Sequence, residues 1–334
     1  MRAVLLVDES QFVPDDPNFT KQPKKPWEAE FSVSHALRKL GHSVAGIPVT
    51  SNVAETLARI KEARPDFVFN LVEEINGCRE HDNLLVRILE LMEVPCTGAS
   101  AEALMLSRNK HLAKLVVAEA GVPVSKGVVV TEGMKNSHSV AGLKFPLIVK
   151  PLHGDGSEGI NAKSYVKSPA VLQRRIEQLM RQRRRPVLCE EYVPGREICV
   201  TLSGLQTVSV DSICELVFPR RSQVKFATEL AKFDKQYRSR AGIFYRTPAR
   251  LPEKVQSQVM NLAKKAYCAL GIESYAKIEF RVSDVQIVFI EANPNSQLSR
   301  SAHSTDFGCI GYERFIKKIV RMALERHKRR QPGR

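Results

Sequence analysis

Three oxygen-bearing residues, Glu279, Glu291 and Asn293, stand near the ends of two predicted strands. Strand-like alternation over 275–282 and 285–292, joined by a Ser-Asp turn, predicts a β-hairpin. Glu291 and Asn293 are separated by one residue, so they point to the same side of an extended chain. Carboxylate and amide oxygens are ligands that Mg²⁺ prefers, especially where substrate phosphates complete its shell. The pattern predicts a magnesium site, with ordinary surface charges as the alternative.

A lysine followed by a glycine-rich turn has the composition of a phosphate site. The near-continuous apolar strand predicted at 145–151 carries Lys150 near its end, where burial of an ammonium group is costly unless an anion meets it. Gly156, Ser157 and Gly159 follow, and glycines let backbone N–H groups approach a phosphate closely. A hairpin turn with a solvated lysine is the alternative interpretation.

Two more segments have features of a nucleotide site. Lys110 is predicted to start a helix, where a solvent-exposed side chain is the alternative. In VLCEEYVPGREICV, at 187–200, acids interrupt an apolar strand before a Pro-Gly turn. The backbone at 191–193 would offer hydrogen bonds to an adenine edge. Glu197 would accept hydrogen bonds from ribose hydroxyls, as acids do in other nucleotide sites.

The elements that position these residues are predicted to alternate between strands and helices at first, and to follow a different order in the rest of the chain. The N-terminal part combines strands with helices, a βαβ order that favours a parallel sheet. Its strands are predicted at 3–7, 42–49 and 65–72, and its helices near 28–40, 52–63 and 82–92. The remainder predicts α+β units, with a mixed-charge loop at 219–248. Its helices are predicted near 108–120, 169–183, 252–270 and 311–327.

Length and composition indicate a folded protein of several domains. The chain has 334 residues, more than one compact core holds, and 43% of them are apolar. No apolar stretch approaches the ~20 residues of a membrane span, and the short N-terminal apolar run is predicted as a buried strand and not as a signal peptide. The seven cysteines are odd in number and lack C-x-x-C spacing, which favours a reducing cytoplasm over a disulfide framework.

The basic character of the chain is concentrated locally. The formal net charge is +15, and much of it lies in the runs at 174–186 and 325–334. Neither run is interleaved with the aromatic side chains that stack on bases. A solvated helix face and a frayed tail are therefore preferred to a nucleic-acid partner, and the excess charge would also attract anionic substrates.

Four segments together resemble the ATP-grasp carboxylate–amine ligases, most closely the D-alanine–D-alanine ligase group. They are LELMEVPCTGAS with LSRNKHLAKLVVAEAGVPV, FPLIVKPLHGDGSEGI, VLCEEYVPGREICV, and IEFRV with VFIEANPN, within a match from about residue 65 to 325. The resemblance implies an α/β and α+β fold of three domains. A parallel-sheet domain at 1–100 would precede a central domain at 101–186 and a C-terminal domain with the metal site at 187–334. The two α+β domains would grip ATP.

The resemblance also implies which residues bind ATP and metal. Lys110 and Lys150 would hold the phosphates, with Gly156 and Ser157 on the loop that covers them. Lys232, with Lys235 as the alternative, would belong to a lid at 226–246. The adenosine contacts would be Glu190, the backbone at Glu191 and Val193, Tyr192 and Ile290, with Glu197 at the ribose. Glu279, Glu291 and Asn293 would hold two Mg²⁺ ions, with Mn²⁺ as an alternative metal.

Three further residues would act on the substrates. Glu30, in AEFSVSHALRKLGH, resembles the acid that binds the amino group of the first amino acid. Lys277 stands where the family has an arginine facing the reacting carboxylate, and a lysine cannot form arginine's bidentate fork. Ser301 and Arg300 lie in PNSQLSRSAHS, where the family has a loop of small residues for the acceptor carboxylate. These two departures predict a product other than D-alanyl-D-alanine, whereas Glu279 in place of the family's aspartate is a conservative change for Mg²⁺.

The predicted function is an ATP-dependent ligase that joins a carboxylate to an amine through an acyl phosphate. Its partners would be small-molecule amino acids or peptides, and the sequence leaves a homodimer open. The alternatives are a biosynthetic ligase with substrates other than D-alanine, a non-catalytic ATP-binding protein, and a basic protein associated with nucleic acid.

Overall fold

The computed structural model describes residues 1–21, 28–132, 140–154, 156–183, 185–222, 224–300, 302 and 311–331. Within these ranges the chain forms three β-sheets with helices packed against them. No helix in the described part of the chain is long and apolar enough to cross a membrane.

The N-terminal unit is built on a parallel sheet, as predicted, with strand order β2-β1-β3. Its elements are β1 (Arg2–Asp8), α1 (Glu28–Lys39), β2 (Ser43–Val49), α2 (Val53–Ala63), β3 (Phe67–Asn70) and α3 (Asp82–Leu91). Alternate residues of β1 enter different cores: Leu5 packs with Val33 of α1, and Leu6 packs with Ile60 of α2. Both faces of the strand are therefore covered, which is why its sequence is a continuous apolar run.

The central unit is an antiparallel sheet of order β4-β7-β5-β6 with one helix on its face. Its elements are β4 (Gly127–Val130), β5 (Leu147–Pro151), β6 (Tyr165–Val166), α6 (Pro169–Arg183) and β7 (Val187–Glu191). Leu147 and Val149 of β5 pack against Ile176 and Leu179 of α6, so the strand alternates between this core and the opposite face. Lys150 is thereby directed away from the helix.

The C-terminal unit is a five-stranded antiparallel sheet of order β10-β9-β8-β11-β12. Its strands are β8 (Arg196–Gly204), β9 (Val208–Val217), β10 (Phe244–Arg246), β11 (Tyr275–Val282) and β12 (Ile287–Asn293). Its sheet-covering helix is α9 (Glu253–Ala269), and the closing helix is α10 (Tyr312–Arg329). The antiparallel pairing of β11 with β12 confirms the predicted hairpin.

The helix predicted near 108–120 is present, and a further helix that was not predicted precedes it. They are α4 (Ala101–Arg108) and α5 (Lys110–Glu119), separated at Asn109, which has an extended backbone and whose side chain accepts a hydrogen bond from the Leu112 N–H at 3.0 Å. This cap makes Lys110 the first residue of α5, as the sequence predicted.

The segment predicted as a loop at 219–248 is more ordered than expected. It contains α7 (Glu229–Phe233) and α8 (Lys235–Ala241) as well as β10. The side chains of Thr228 and Asp234 cap the two short helices. Helices this short carry too little apolar periodicity for the sequence to indicate them.

The three units do not coincide with the predicted ranges. β7 follows the boundary at 186 but pairs with β4 and β5 in the central sheet. Helices α4 and α5 follow the boundary at 100 but pack with α9 on the C-terminal sheet. The closing helix α10 packs on the N-terminal core, where Phe315 contacts the cluster that contains Val33. The unit that each element joins is determined by where its apolar face packs, and the residues against which it packs are distant in sequence.

Candidate active site

The β11–β12 hairpin brings two buried acids together. Glu279 lies opposite Glu291 across the strand pair, and both carboxyl groups are about nine-tenths buried. Asn293 lies at the end of β12, and its Oδ1 accepts a hydrogen bond from the Asn295 N–H at 2.8 Å. The Asn295 side chain in turn donates to the Val72 carbonyl, which joins the hairpin to the N-terminal unit.

The ammonium group of Lys232, from α7, lies between these two carboxylates. It is 2.8 Å from Glu279 Oε1 and 3.2 Å from Glu291 Oε1. Burial raises the pKa of Glu291, but Lys232, Lys110 and Lys150 outweigh that effect and hold it at about 2. Burial also raises the pKa of Glu279, and Glu291 and Glu197 add to the rise against the pull of Lys232. The two acids thus differ because more lysines surround Glu291.

This donor set fits a divalent cation. Two buried carboxylates and a neighbouring amide oxygen supply hard ligands, and the Lys232 ammonium stands where a cation would sit between the acids. Of the two candidate lid lysines, Lys232 is the one directed here, whereas Lys235 is exposed.

Two more buried lysines lie at this end of the site. Lys110 Nζ donates to the Gly154 carbonyl at 2.5 Å and lies 3.9 Å from Glu291 Oε2. Lys150 Nζ lies 2.5 Å from Glu190 Oε1. The structure therefore brings both predicted phosphate lysines to the base of the glycine loop, but Lys150 is paired with a carboxylate there.

A cleft extends from the acids. Ten of the predicted residues line it: Lys150, Ser157, Glu190, Glu191, Tyr192, Val193, Glu197, Glu279, Ile290 and Glu291. Ile148, Ile160 and Phe226 form an apolar cluster along it, with Tyr192 packed against them, so a flat apolar ring would be covered there.

The glycine loop closes against the lid. Gly156 has a positive φ of 62°, and a Cβ at this position would lie 2.6 Å from the Phe233 ring. A glycine is therefore required both for the backbone conformation and for the contact with α7. Ser157, buried next to it, lines the cleft.

Two backbone N–H groups at the predicted adenine edge donate hydrogen bonds within the protein. The N–H of Glu191 donates to the Lys126 carbonyl, and the N–H of Tyr192 donates to the Pro146 carbonyl. Glu197 Oε2 accepts from the Ala227 N–H at 2.8 Å and lies 3.7 Å from Arg281. This contact ties the predicted ribose acid to the start of the lid.

Glu30 lies apart from the cleft, in the first turn of α1. Burial raises the pKa of Glu30 to about 7, and Asp8 and Glu73 add to the rise. Burial also raises the pKa of Asp8 to about 7, although its carboxylate accepts hydrogen bonds from the backbone N–H groups of Glu73 and Glu74. Buried acids held close together favour a cationic group between them.

The acceptor-side residues are placed unequally. Lys277 shares a small second cavity with Lys232 and Glu279, and its ammonium lies 5.6 Å from the Tyr245 ring centroid. Arg300 pairs with Glu313 and stacks on Tyr312, so its charge is directed to α10 and not into the cleft. The departure from the family's small-residue loop at Arg300 stays a prediction, and the acid that pairs with Arg300 comes from a helix distant in sequence. Ser301 lies outside the described residues.

Sequence reasoning missed two buried cations in the site. Arg281 lines the cleft, donates to the carbonyls of Gly195 and Lys225, and lies over the Tyr192 ring. It follows Glu279 by two positions, a strand spacing that places both on one face. Lys114 lies one helical turn after Lys110, a spacing that also puts both lysines on one face.

Acids, lysines and an apolar cleft between two antiparallel units define an ATP-grasp ligase. The chain belongs to the D-alanine–D-alanine ligase family: residues 116–321, more than half of the chain, match the family model described as "D-ala D-ala ligase C-terminus". The predicted family, fold class and enzyme class are thereby confirmed.

Related proteins agree with this assignment over nearly the whole chain. A D-alanine–D-alanine ligase of Gluconobacter oxydans is 28% identical, with 87% of this chain and 91% of that protein covered. An uncharacterized protein of Sinorhizobium fredii is also 28% identical, with 85% and 83% covered. The fold is that of a Bacillus anthracis D-alanine–D-alanine ligase complexed with ATP, which has a TM-score of 0.75, 18% identity and 99% and 100% coverage.

Proposed function

We propose that the protein couples ATP hydrolysis to amide bond formation between a carboxylate and an amine. The carboxylate attacks the γ-phosphate, giving an acyl phosphate and ADP. The amine then attacks the acyl carbon and releases phosphate. The substrates are amino acids or short peptides, which carry both reacting groups.

One observation carries this proposal: the lid lysine Lys232 meets the buried pair Glu279 and Glu291 at the end of a cleft that ten of the predicted site residues line. A site that only anchored adenine would not need buried acids at its far end. Two Mg²⁺ ions, or Mn²⁺, held by Glu279, Glu291 and Asn293 would supply charge neutralisation at the phosphates.

The described residues divide the work of the first step. Lys110, Lys150 and Lys232 would lie against the phosphate oxygens and offset the charge that builds up during transfer. Gly156 and Ser157, on the loop that covers the phosphates, would donate hydrogen bonds to them. The contact of Gly156 with Phe233 closes this loop on the lid. Closure excludes water, which would otherwise hydrolyse the acyl phosphate.

The adenosine would occupy the apolar half of the cleft. The N–H groups of Glu191 and Tyr192 already have partners, so the Glu191 carbonyl and the Val193 N–H are the groups proposed to read the adenine edge. Tyr192 and Ile290 would cover the ring, Glu190 would lie at its amino group, and Glu197 would accept from the ribose.

The substrate carboxylate would lie between the metal acids and Lys277. Lys277 shares a cavity with Lys232, and its charge would stabilise the oxyanion that develops at the acyl carbon. Glu30 would bind the ammonium group of the first amino acid, a role that suits its buried position beside Asp8. Ser301 remains the proposed acceptor-side residue.

The acceptor is proposed to differ from D-alanine, because this chain has Lys277 where the family has an arginine. A point charge holds a carboxylate with less geometric restriction than a guanidinium fork.

We place the enzyme in the cytoplasm, where ATP is present and where the six free cysteines of the described chain stay reduced. A homodimer is proposed on family resemblance alone, and sedimentation analysis tests it.

An ADP-release assay with D- and L-amino acids and dipeptides tests the function. Hydroxylamine in the assay should convert the acyl phosphate to a hydroxamate identifiable by mass spectrometry. ADP release that depends on a carboxylate substrate supports the proposal. Tight ATP binding without ADP release over the whole panel would favour a non-catalytic ATP-binding protein.

A further inference from the structure

A buried lysine outside the predicted site organises the centre of the cleft. The side chain of Lys114, on α5, is about 95% buried. Its ammonium donates to Ser125 Oγ at 2.7 Å and to Glu190 Oε2. Ser125 Oγ also lies 3.1 Å from Glu190 Oε2.

Glu190 therefore has a different cation on each oxygen. Lys114 and Ser125 hold Oε2, whereas Lys150 holds Oε1. Burial raises the pKa of Glu190, but the two lysines outweigh that effect and hold it at about 2, so the carboxylate is ionised. The three charged groups sum to one net positive charge.

The two lysines differ in what surrounds them. Lys150 lines the cleft, so its ammonium faces the space that a nucleotide would fill. Lys114 is not among the residues that line the cleft, and its ammonium donates to Ser125 and Glu190. Burying an ammonium group is costly, and an apolar side chain of the same length would fill that space without the cost.

We propose that Lys114 is a positioning residue: it keeps Glu190 neutralised, so that Lys150 can leave Glu190 and bind the nucleotide phosphates. Without Lys114, Lys150 is the only cation on a buried carboxylate. Lys150 then cannot turn to a phosphate without leaving that carboxylate unpaired, and the net positive charge of the group is lost. This inference rests on the nucleotide site of the proposed function.

The test compares the affinities of ADP with Mg²⁺ and of adenosine, by calorimetry and by ligand-detected NMR. Lys114→Met should weaken ADP by about tenfold or more, a change of about 1.4 kcal/mol, while adenosine, which lacks phosphates, changes much less. Adding Glu190→Gln to Lys114→Met should recover most of the ratio of ADP to adenosine affinity, because Lys150 is released from an ionised carboxylate, whereas any loss of the proposed adenine contact of Glu190 weakens both ligands alike. Lys114→Gln repeats the experiment if the methionine variant does not fold, since it keeps a hydrogen-bond donor.

The matched control is Lys265→Met, which removes an exposed lysine from α9. An unchanged ratio of ADP to adenosine affinity in both Lys114 variants would overturn the inference, as would a double variant in which Glu190→Gln leaves that ratio as low as in Lys114→Met. A purely structural role of Lys114 would weaken both ligands equally. Absence of ADP binding by the wild-type protein would instead overturn the proposed nucleotide site itself.

Discussion

Lys232 Nζ lies 2.8 Å from Glu279 Oε1, so a lid residue neutralises an acid at the proposed metal site. A divalent cation held by Glu279 and Glu291, as proposed, would compete with Lys232 for the same pair of carboxylates. The ammonium group of Lys232 would then be available to a phosphate in the cleft.

The first prediction concerns this exchange. Lys232→Met leaves two buried carboxylates without their bridging cation, which should lower the free energy of unfolding by on the order of 3 kcal/mol in the absence of metal. Mg²⁺ should restore part of that loss because it neutralises the same acids. Thermal denaturation with and without Mg²⁺ measures both effects, and Lys235→Met, an exposed neighbour, is the control. Wild-type stability of Lys232→Met would contradict the assignment.

The second prediction is that Glu291→Gln removes turnover while the fold is kept. Loss of one electrostatic contact of this kind costs on the order of 3 kcal/mol of barrier, or about a hundredfold in rate. ADP release measures the rate, circular dichroism checks the fold, and Glu253→Gln serves as an exposed control. Near-normal ADP formation by a folded Glu291→Gln protein would remove the metal assignment.

A third prediction concerns Lys150→Ala. The variant should bind ATP about tenfold more weakly or worse, because a charge on the phosphates is lost. Its fold should persist, since Lys114 still pairs with Glu190. Calorimetric titration with ATP and Mg²⁺ measures the affinity. If Lys150 only pairs with Glu190 and never meets a phosphate, ATP affinity will stay at the wild-type value.

The fourth prediction is that D-alanine is a poor sole substrate. Lys277 lacks the bidentate geometry of arginine, so a small carboxylate should be held loosely in the reactive position. An ADP-release assay with D-alanine alone, beside the panel of other amino acids, measures this. Lys277→Arg should raise the D-alanine rate relative to the others. Robust turnover of D-alanine by the wild-type enzyme would show that this departure does not mark a changed substrate.

The fifth prediction follows from the raised pKa of Glu30, about 7. An ammonium substrate needs the ionised carboxylate, so KM for the first amino acid should fall as pH rises from about 6 to 8. Glu30→Gln should raise KM and remove the part of its pH dependence that comes from ionisation of Glu30. A KM profile that is the same in wild type and Glu30→Gln would exclude Glu30 from amine recognition.

The same group affects stability with a definite sign. The folded state keeps a proton on Glu30 up to a pKa of about 7, whereas the unfolded state releases it near 4.5. The free energy of unfolding should therefore fall as pH rises through that window, and Glu30→Gln should lessen the fall. Urea unfolding at several pH values measures the slope.

Local patterns in the sequence account for much of the fold. The alternation around Glu279 and Glu291, with a Ser-Asp turn between the two runs, predicted the hairpin that the structure has. The start of α5 at Lys110 was also predicted, and the structure adds Asn109 as its capping residue. These features depend on neighbours within a few residues, so one sequence suffices to show them.

The site depends on contacts that no local pattern records. Arg300 looked like a charge for the acceptor, but its partner Glu313 comes from the closing helix. Lys232 was expected at the nucleotide phosphates, and its ammonium contacts Glu279 of β11 and Glu291 of β12. The assignment of α4 to the C-terminal core likewise depends on apolar faces that meet only after folding.

The packing of α10 on the N-terminal core has a mechanical consequence. Since Phe315 shares a core with Val33, the first and last parts of the chain form one continuous body. The central sheet has a separate core around Leu147 and Ile176. Rotation of the central unit against that body would break the ion pair between Lys114 of α5 and Glu190 of β7, so this pair resists opening of the cleft.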